Sequence, residues 1–173
     1  MIKRETHFSQ ETVSLGRKFS HILEEKDVVI LEGALGGGKT TFIKGILEGL
    51  RYNGEVLSPS FTLVREYETK SFQIYHVDLY RVDKKIDIVN LGIEDYLYAP
   101  RTIILIEWGE KIKTILHQYI KVEFFFLTEF SRRIIFSSKG YKEKDKSRPF
   151  LRGNLPAGLF PKLAEYSGKG RDK

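Results

Sequence analysis

Gly33-Ala34-Leu35-Gly36-Gly37-Gly38-Lys39-Thr40 is the stretch that decides the fold of this 173-residue chain. It fits the pattern Gly-x-x-x-x-Gly-Lys-Ser/Thr without a mismatch. Glycines let such a loop wrap with its backbone N–H groups pointing inward, which forms a cradle for anions. The helix that follows adds the positive end of its dipole. The stretch, called the phosphate loop below, is therefore predicted to bind the phosphates of a nucleotide.

Individual roles within the phosphate loop follow from the pattern. Nucleotide contacts are predicted at Gly33, Leu35, Gly36, Gly37 and Gly38. The ammonium group of Lys39 can reach the β- and γ-phosphates, and the hydroxyl of Thr40 can ligate Mg²⁺. Thr41 supplies a second hydroxyl, either for the start of the helix or for a phosphate contact.

The segments on either side of the phosphate loop have the required form. Residues 28–31 read Val-Val-Ile-Leu. Such a run is too apolar for an exposed edge, and it predicts a strand buried on both faces, as in a parallel sheet. Residues 39–50 carry apolar side chains at helical spacing, which predicts a helix. A strand, the loop and a helix in this order are the context in which the motif binds nucleotides.

The rest of the chain predicts further helices and strands. Helices are expected at residues 10–26 with Ser9 as N-cap, at 83–98 with a break at Gly92 and an end before Pro100, and at 110–117. Strands are expected at 102–106, 119–127 and 132–137, and an antiparallel hairpin at 61–68 and 72–80. The predicted fold class is α/β, a three-layer P-loop NTPase with a central mixed β-sheet flanked by helices.

A carboxylate at the end of a neighbouring strand is expected to hold Mg²⁺ or its water shell. Glu107 directly follows the apolar run at residues 103–106, which suits a strand end that faces the nucleotide. Trp108, the single tryptophan, comes next in the chain. It is expected near bound nucleotide, with a core or edge aromatic as the alternative.

Hydrolysis also requires a group that orients the attacking water. Asp78 is the candidate, since it lies near the end of the second hairpin strand. Side chains alternate along a strand, so His76, Asp78 and Tyr80 are expected on one face. A solvated strand face is the alternative. Lys39, Asp78 and Glu107 are thus the candidate catalytic residues.

Composition excludes several kinds of site. The chain has no cysteine, which excludes disulfides and cysteine-ligated metals, and its four histidines lack the spacing of a zinc site. No apolar run approaches the roughly 18 residues of a membrane helix, and residues 1–10 lack the apolar segment of a signal peptide. A cytoplasmic location without a membrane is expected. The absence of Asn-Lys-x-Asp argues against a GTPase.

Positive charge is concentrated towards the C-terminal end. Residues 141–173 hold nine Lys or Arg against four Asp or Glu, so they carry +5 of the net charge of +6. The expected organisation is a P-loop ATPase domain at residues 1–140 and a basic extension, partly disordered or loosely packed, at 141–173. Such an extension either attracts nucleic acid or acidic partners or is simply solvated.

Five motifs in this order resemble the TsaE family, also called YjeE. They are residues 31–42 around the phosphate loop, Ser-Pro-Ser-Phe-Thr at 58–62, His-Val-Asp-Leu-Tyr-Arg at 76–81, Leu-Gly-Ile-Glu-Asp at 91–95 and Ile-Glu-Trp at 106–108. The phosphate loop is shared by a very large superfamily. The segments at 76–81 and 106–108 are much more selective. The resemblance covers about residues 6–140.

This resemblance implies a Mg²⁺-dependent ATPase in the threonylcarbamoyladenosine modification of tRNA. It implies work with the TsaB–TsaD pair, which modifies tRNAs that read codons beginning with A (ANN codons). In that family ATP hydrolysis resets or activates the pair between turnovers. Direct contact between tRNA and the basic extension is a further expectation.

Site residues also follow from the resemblance by position. Thr40 and Glu107 correspond to the Mg²⁺ residues and Asp78 to the catalytic carboxylate. The segment at 58–62 resembles a switch-like loop beside the γ-phosphate. The remaining correspondences are base-side contacts at Thr12 and Trp108 and a further nucleotide contact at Arg132.

Three positions depart from the family pattern. Ala34 stands where the family usually has Asp, Gly37 where Ala or Ser is common, and Ser60 where Thr is usual. Lys39 and both candidate carboxylates are retained, so hydrolysis is expected to survive. The missing carboxylate at position 34 bears on nucleotide affinity or on partner contact.

Two other functions compete with this interpretation. A nucleoside or small-molecule kinase would share the phosphate loop and a nearby acid, but no arginine-bearing lid segment is evident. A nucleic-acid-binding module driven by the basic extension would bind tRNA with strong salt dependence.

Overall fold

The computed structural model describes residues 1–83 and 91–141. Its strands are β1 Ile2–Thr6, β2 Val28–Gly33, β3 Val64–Glu68, β4 Gln73–Asp78, β5 Thr102–Glu107, β6 Tyr119–Phe126 and β7 Arg132–Lys139. Its helices are α1 Ser9–Ser20, α2 Lys39–Gly49 and α3 Ile93–Tyr98, with a 3₁₀ turn at Gly109–Lys111.

The seven strands form one mixed sheet in the order β1-β7-β6-β2-β5-β4-β3. Strand β2 lies at the centre and pairs in parallel with both β5 and β6. Strand β4 pairs in parallel with β5, whereas β3, β7 and β1 add antiparallel pairs. The phosphate loop therefore leaves the middle of the sheet, and the ends of β4 and β5 lie to one side of it.

Both faces of the central strands are buried, as their uninterrupted apolar sequence predicts. Side chains alternate along β2, so Val29 and Leu31 pack with α1 and α2 while Val28 and Ile30 pack on the opposite face. Ile93 of α3 and Ile112 belong to this second cluster. The result is three layers, with helices on each side of a mixed sheet, which confirms the predicted fold class.

Helices α1 and α2 pack at unusually short range. A Cβ atom added at Gly16 would lie 2.2 Å from the carbonyl oxygen of Phe42, and one added at Gly45 would lie 2.0 Å from that of Val13. Only glycine permits backbones to approach this closely. The contact fixes α1 against the helix that begins at Lys39, and so places the N-terminal segment beside the phosphate loop.

The N-terminal strand was not predicted from the sequence. In β1 only Ile2 and Thr6 are buried, and charged residues separate them, so the apolar signal is weak. The strand forms because it pairs with the edge of β7, from Ile2 opposite Phe136 to Thr6 opposite Arg132. Long-range pairing of this kind leaves almost no local pattern.

Helix α1 differs from its prediction at both ends. Phe8, not Ser9, is the N-cap, and no side chain caps the helix there. Instead the Glu11 carboxylate accepts a hydrogen bond from the backbone N–H of His7 at 2.6 Å. The helix ends at Ser20, six residues before the predicted end, and turns lead from there to β2.

The predicted helix at 110–117 is wrong. The segment forms a 3₁₀ turn at Gly109–Lys111 followed by turns, held by bonds such as Ile115 N–H to the Ile112 carbonyl at 3.0 Å. Ile112 and Leu116 are both buried, so their helical spacing reflects core packing rather than a helix. Of the predicted helix at 83–98, residues 84–90 lie outside the described residues, and α3 begins after Gly92 at a φ of 62°.

The other predicted elements are present. The strand at 28–31 and the helix at 39–50 correspond to β2 and α2, and the predicted hairpin corresponds to β3 and β4. The strands at 102–106, 119–127 and 132–137 correspond to β5, β6 and β7.

Candidate functional site

The phosphate loop joins the end of β2 to the start of α2. Its backbone enters the left-handed region at Gly36 (φ 72°) and Gly38 (φ 102°), where other residues are strained. At Gly33 the constraint is also one of space, since an added Cβ would lie 2.6 Å from the carbonyl oxygen of Phe124 on β6. The glycines are therefore required by the path of the chain around the loop.

The Lys39 ammonium lies inside the curve of the loop. Its Nζ donates hydrogen bonds to the carbonyl oxygens of Gly33 at 2.7 Å and Ala34 at 2.9 Å. It also stands 4.2 Å from the centre of the Trp108 ring, within range of a cation–π contact. Burial lowers the pKa of Lys39, while nearby carboxylates, Glu107 foremost, act in the opposite direction.

Glu107 reaches the first residues of α2 from the end of β5. Its Oε1 accepts a hydrogen bond from the Thr40 hydroxyl at 2.7 Å and lies 2.9 Å from Nε2 of His76. Glu107 is only 4% exposed and His76 is fully buried. Glu107, which is predicted to hold Mg²⁺ together with Thr40, is thus in direct contact with the Thr40 side chain.

Asp78 ends β4 beside Glu107, because the two residues are paired in the parallel register of β4 and β5. Its Oδ2 accepts hydrogen bonds from Ser58 at 2.9 Å and from Ser60. Its Oδ1 accepts the backbone N–H of Tyr80 at 2.9 Å. His76 and Asp78 share a strand face as predicted, but β4 ends at Asp78, so strand alternation does not extend to Tyr80.

These groups border one open cavity of about 260 Å³, called the Lys39 cavity. It is lined by Leu35, Gly36, Gly37, Gly38, Lys39, Thr40, Thr41, Ser58, Ser60, Asp78, Tyr80, Glu107 and Trp108. A cation, hydroxyls, backbone N–H groups and two carboxylates therefore converge on a single space. Their chemistry suits a phosphate chain with a metal ion at its far end.

A second cavity, of about 340 Å³, adjoins the loop and is called the Arg132 cavity. It is lined by Phe8, Ser9, Gln10, Thr12, Gly36, Gly38, Thr41, Glu129, Phe130 and Arg132. The Arg132 guanidinium donates to the carbonyl oxygen of Gly36 at 3.2 Å and stacks 3.9 Å from the centre of the Phe126 ring. The hydroxyl of Thr12 is hydrogen bonded to that of Thr6 at 2.9 Å.

The structure distributes the predicted residues between these two spaces. Thr12 and Arg132 lie together in the Arg132 cavity, but Trp108 does not join them there, since it packs against Lys39 and the ring of Tyr80 at 5.0 Å. Gly33 lines neither cavity and contributes its carbonyl oxygen to Lys39.

Several lining residues were missed by reasoning from the sequence. Phe8 and Phe130 are exposed aromatic residues that border the Arg132 cavity together with Gln10. Phe130 lies more than a hundred positions from Phe8 and Gln10 in the chain, and no local motif connects it to them. Only the pairing of β1 with β7 brings their segments together.

The three departures from the family pattern have different surroundings. The side chain of Ala34 is exposed, and its backbone carbonyl binds Lys39 and the N–H of Gly37. A Cβ at Gly37 would lie 2.8 Å from that same carbonyl oxygen, so glycine suits this loop path. Ser60 retains the hydroxyl that a threonine would supply, and that hydroxyl binds Asp78.

The described residues contain neither an all-protein metal cluster nor a membrane-spanning helix. Among residues 1–83 and 91–141, no group of three or more His, Asp or Glu side chains could hold a metal ion. Within the same described ranges, no helix has the length and apolar character needed to cross a membrane.

Comparison with known proteins gives consistent matches. The family described as "Threonylcarbamoyl adenosine biosynthesis protein TsaE" matches residues 6–134. A Treponema pallidum (strain Nichols) protein named tRNA threonylcarbamoyladenosine biosynthesis protein TsaE is 38% identical over 111 residues, covering 64% of this chain and 81% of that protein. The Haemophilus influenzae protein of the same name is 44% identical over 106 residues, covering 58% of this chain and 66% of that protein.

A solved structure has a similar fold. The crystal structure of Bacillus subtilis YdiB is similar with a TM-score of 0.71 and 27% identity, covering 88% of this chain and 94% of that one. The family match itself extends over most of the chain and contains the phosphate loop, β4 and β5. The chain therefore belongs to the TsaE family of threonylcarbamoyl adenosine biosynthesis proteins.

Proposed function

We propose that this chain is the ATP-binding and ATP-hydrolysing component of the tRNA threonylcarbamoyladenosine modification machinery. The observation that carries the proposal is the convergence of Lys39, Asp78 and Glu107 on one cavity. They come from α2, β4 and β5, and the parallel register of the sheet sets the two carboxylates side by side. A cation beside two strand-end carboxylates is the arrangement that phosphoryl transfer from a Mg²⁺-bound nucleotide requires.

The residues of the site fit a magnesium ion. The Thr40 hydroxyl and the Glu107 carboxylate, 2.7 Å apart, are hard oxygen ligands of the kind that Mg²⁺ prefers. The described residues offer no larger acidic cluster, so phosphate oxygens and water would complete the octahedron. When bound, the ion supplies charge neutralisation at the β- and γ-phosphates.

Each of the other side chains has a role that follows from its position. The Lys39 ammonium, now bound to two loop carbonyls, exchanges them for phosphate oxygens. The Asp78 carboxylate accepts a hydrogen bond from the attacking water and so fixes its direction. Ser58 and Ser60, which bind Asp78 in the structure, hold that carboxylate in place until the water arrives.

The Arg132 cavity receives the base and sugar end of the nucleotide. It is lined by Thr12 and Arg132, both expected nucleotide contacts, and it shares Gly36, Gly38 and Thr41 with the Lys39 cavity. Its exposed aromatic residues, Phe8 and Phe130, offer faces on which a purine can stack. Trp108 contacts the nucleotide from the phosphate side, next to Lys39.

The partners in this proposal are taken from the family. Relatives of this chain are named as threonylcarbamoyladenosine biosynthesis proteins, and we assign to it the same partners as to the family, the TsaB–TsaD pair, acting on tRNAs that read ANN codons. We place this activity in the cytoplasm. Residues 1–140 form the ATPase domain, and the basic segment at 141–173 is an extension that can contact tRNA.

A reconstituted modification assay tests this function. TsaB–TsaD, tRNA, a threonylcarbamoyl donor and Mg-ATP are combined with the wild-type chain or with Lys39→Ala, and modified adenosines are counted per TsaB–TsaD complex. We expect repeated turnovers with the wild-type chain and about one turnover or fewer with the variant, because the variant lacks the phosphate-binding cation. Equal yields with both chains would refute the proposal.

A further inference from the structure

His76 is a buried histidine whose ring lies against the Mg²⁺ residues without belonging to them. Its side chain is fully buried on β4, and β5 separates this strand from β2. Its Nε2 lies 2.9 Å from Oε1 of Glu107. Its other ring nitrogen, Nδ1, has no hydrogen-bond partner among the described residues. A buried polar atom left in this way costs free energy, so the ring position calls for a functional explanation.

The chemistry of the contact fixes the direction of the hydrogen bond. An ionised carboxylate only accepts, so the hydrogen atom must lie on Nε2 of His76. The Thr40 hydroxyl donates to the same oxygen, Oε1, at 2.7 Å. Both donors thus act on one oxygen of Glu107. Its second oxygen, Oε2, accepts no side-chain hydrogen bond from the described part of the chain.

The two donors are not equivalent once a metal ion is bound. A Thr40 hydroxyl that ligates Mg²⁺ gives a lone pair to the ion and can still donate its hydrogen to Glu107, so its position depends on the ion. The position of His76 does not depend on the ion, because the ring is enclosed in the sheet between Tyr75 and Val77 and against the ring of Tyr67 at 6.2 Å. It therefore keeps the carboxylate at a fixed angle throughout the cycle.

We propose that His76 is a positioning residue that orients Glu107 for Mg²⁺ through an Nε2–H hydrogen bond. The proposal rests on the proposed function, since it assumes that Thr40 and Glu107 hold the ion. Residues that orient metal-binding groups in this way change metal affinity by about 10- to 100-fold when they are replaced. The side chain does not line the Lys39 cavity, so its effect is transmitted through Glu107.

The test separates metal affinity from nucleotide affinity at one fixed pH. A fluorescent ADP analogue is titrated into the full-length chain without Mg²⁺ and then across a Mg²⁺ series. The variants are His76→Gln, whose amide N–H can replace the Nε2 donor, His76→Asn, whose shorter amide cannot reach, and His76→Leu, which has no donor. Thermal melting of each variant establishes that it is folded.

We expect His76→Asn and His76→Leu to raise the Mg²⁺ concentration at half-saturation about 10-fold or more. In His76→Gln this concentration should stay near the wild-type value. Binding of the analogue without Mg²⁺ should be unchanged in all of them. Wild-type Mg²⁺ dependence in the Asn and Leu variants would overturn the inference. So would an equal loss of Mg²⁺-free binding in all three variants, because that would indicate a structural role alone.

The proposed function fails in a different way in the same experiment. A wild-type chain that binds the analogue equally well with and without Mg²⁺, or not at all, contradicts the Mg-nucleotide site itself. If His76→Leu does not fold, the comparison of His76→Gln with His76→Asn still tests the inference, since both variants keep a polar side chain at position 76.

Discussion

The three charged side chains that line the Lys39 cavity are each held by partners within the protein. Lys39 binds two loop carbonyls, Asp78 binds Ser58 and Ser60, and Glu107 binds Thr40 and His76. A nucleotide must therefore exchange existing hydrogen bonds for new ones, each worth only about 0.5–1.5 kcal/mol net. The site is arranged in advance, so little side-chain ordering remains to oppose binding.

Asp78 should affect hydrolysis far more than binding. Replacing it with Asn keeps the shape, but an NH₂ group takes the place of one carboxylate oxygen. The serine hydroxyls can then accept from this group instead of donating to it, and the acceptor for the attacking water is weaker. We expect Asp78→Asn to lower kcat for ATP hydrolysis about 100-fold or more while the ATP dissociation constant changes little. Phosphate release and calorimetric binding measure the two effects. Asp83→Asn, at a carboxylate that is 90% exposed, is the control, and equal losses of kcat in both variants would count against the assignment.

Trp108 offers a direct optical test of how Lys39 moves. Its ring is the only tryptophan in the chain and lies 4.2 Å from the Lys39 ammonium. When Mg-ATP draws that ammonium to its phosphates, the cation–π contact is lost and the tryptophan emission should change. Lys39→Ala should show altered emission from the start and no further change with Mg-ATP. Unchanged wild-type emission, with binding verified by calorimetry, would contradict this arrangement.

Much of the site could be predicted at the residue scale from local sequence. The glycines, Lys39 and Thr40 lie in one motif, and Asp78 and Glu107 each end a strand that the sequence shows. The His76–Glu107 bond could not be predicted, because it depends on the strand register across β4 and β5. The Ser60–Asp78 bond could not be predicted either, because it depends on the path of the loop that precedes β3. Trp108, like Thr12, was expected to be a base-side contact, and the turn after β5 places its ring against Lys39.

Among the elements, buried strands were predicted best. Strands β2 and β5 are apolar at every core position, because helices or turns cover both of their faces. Strand β1 was missed because one face is charged and its pairing partner is distant in the chain. The segment at 110–117 was misassigned because burial of Ile112 and Leu116 imitates a helical pattern over a length too short to form an independent helix.

The close packing of α1 on α2 predicts a stability effect at Gly45. Ala would ordinarily favour the helix by about 1 kcal/mol. Here its Cβ would meet the carbonyl oxygen of Val13 at 2.0 Å, so the helices must separate. We expect Gly45→Ala to lower the free energy of unfolding by about 1–3 kcal/mol, measured by urea denaturation. Lys44→Ala, at an exposed neighbouring position, should change it by less than about 0.5 kcal/mol. A stabilised Gly45→Ala variant would contradict the packing described.

At the scale of the whole molecule, the basic extension should be separable from the nucleotide site. Tyr141, the first residue of the extension, is kept in the truncated chain because its hydroxyl donates to Asp27 at 2.8 Å. Deleting residues 142–173 removes +5 of charge and none of the residues of either cavity. We expect nucleotide affinity to stay within about 2-fold and salt-dependent binding of tRNA to weaken. A chain that loses nucleotide binding on this deletion would show that the extension completes the site.

ATP hydrolysis in the Lys39 cavity, in support of the TsaB–TsaD pair, is the activity proposed for this chain. The most direct measurement is phosphate release from Mg-ATP by the full chain, alone and with TsaB–TsaD, with Lys39→Ala as the control. We expect slow phosphate release by the chain alone, faster release with the pair, and none above background in the variant. Phosphate release at the same rate with and without the pair, and in Lys39→Ala, would contradict this activity. Release that speeds up only when a nucleoside is added would also contradict it and would favour a kinase.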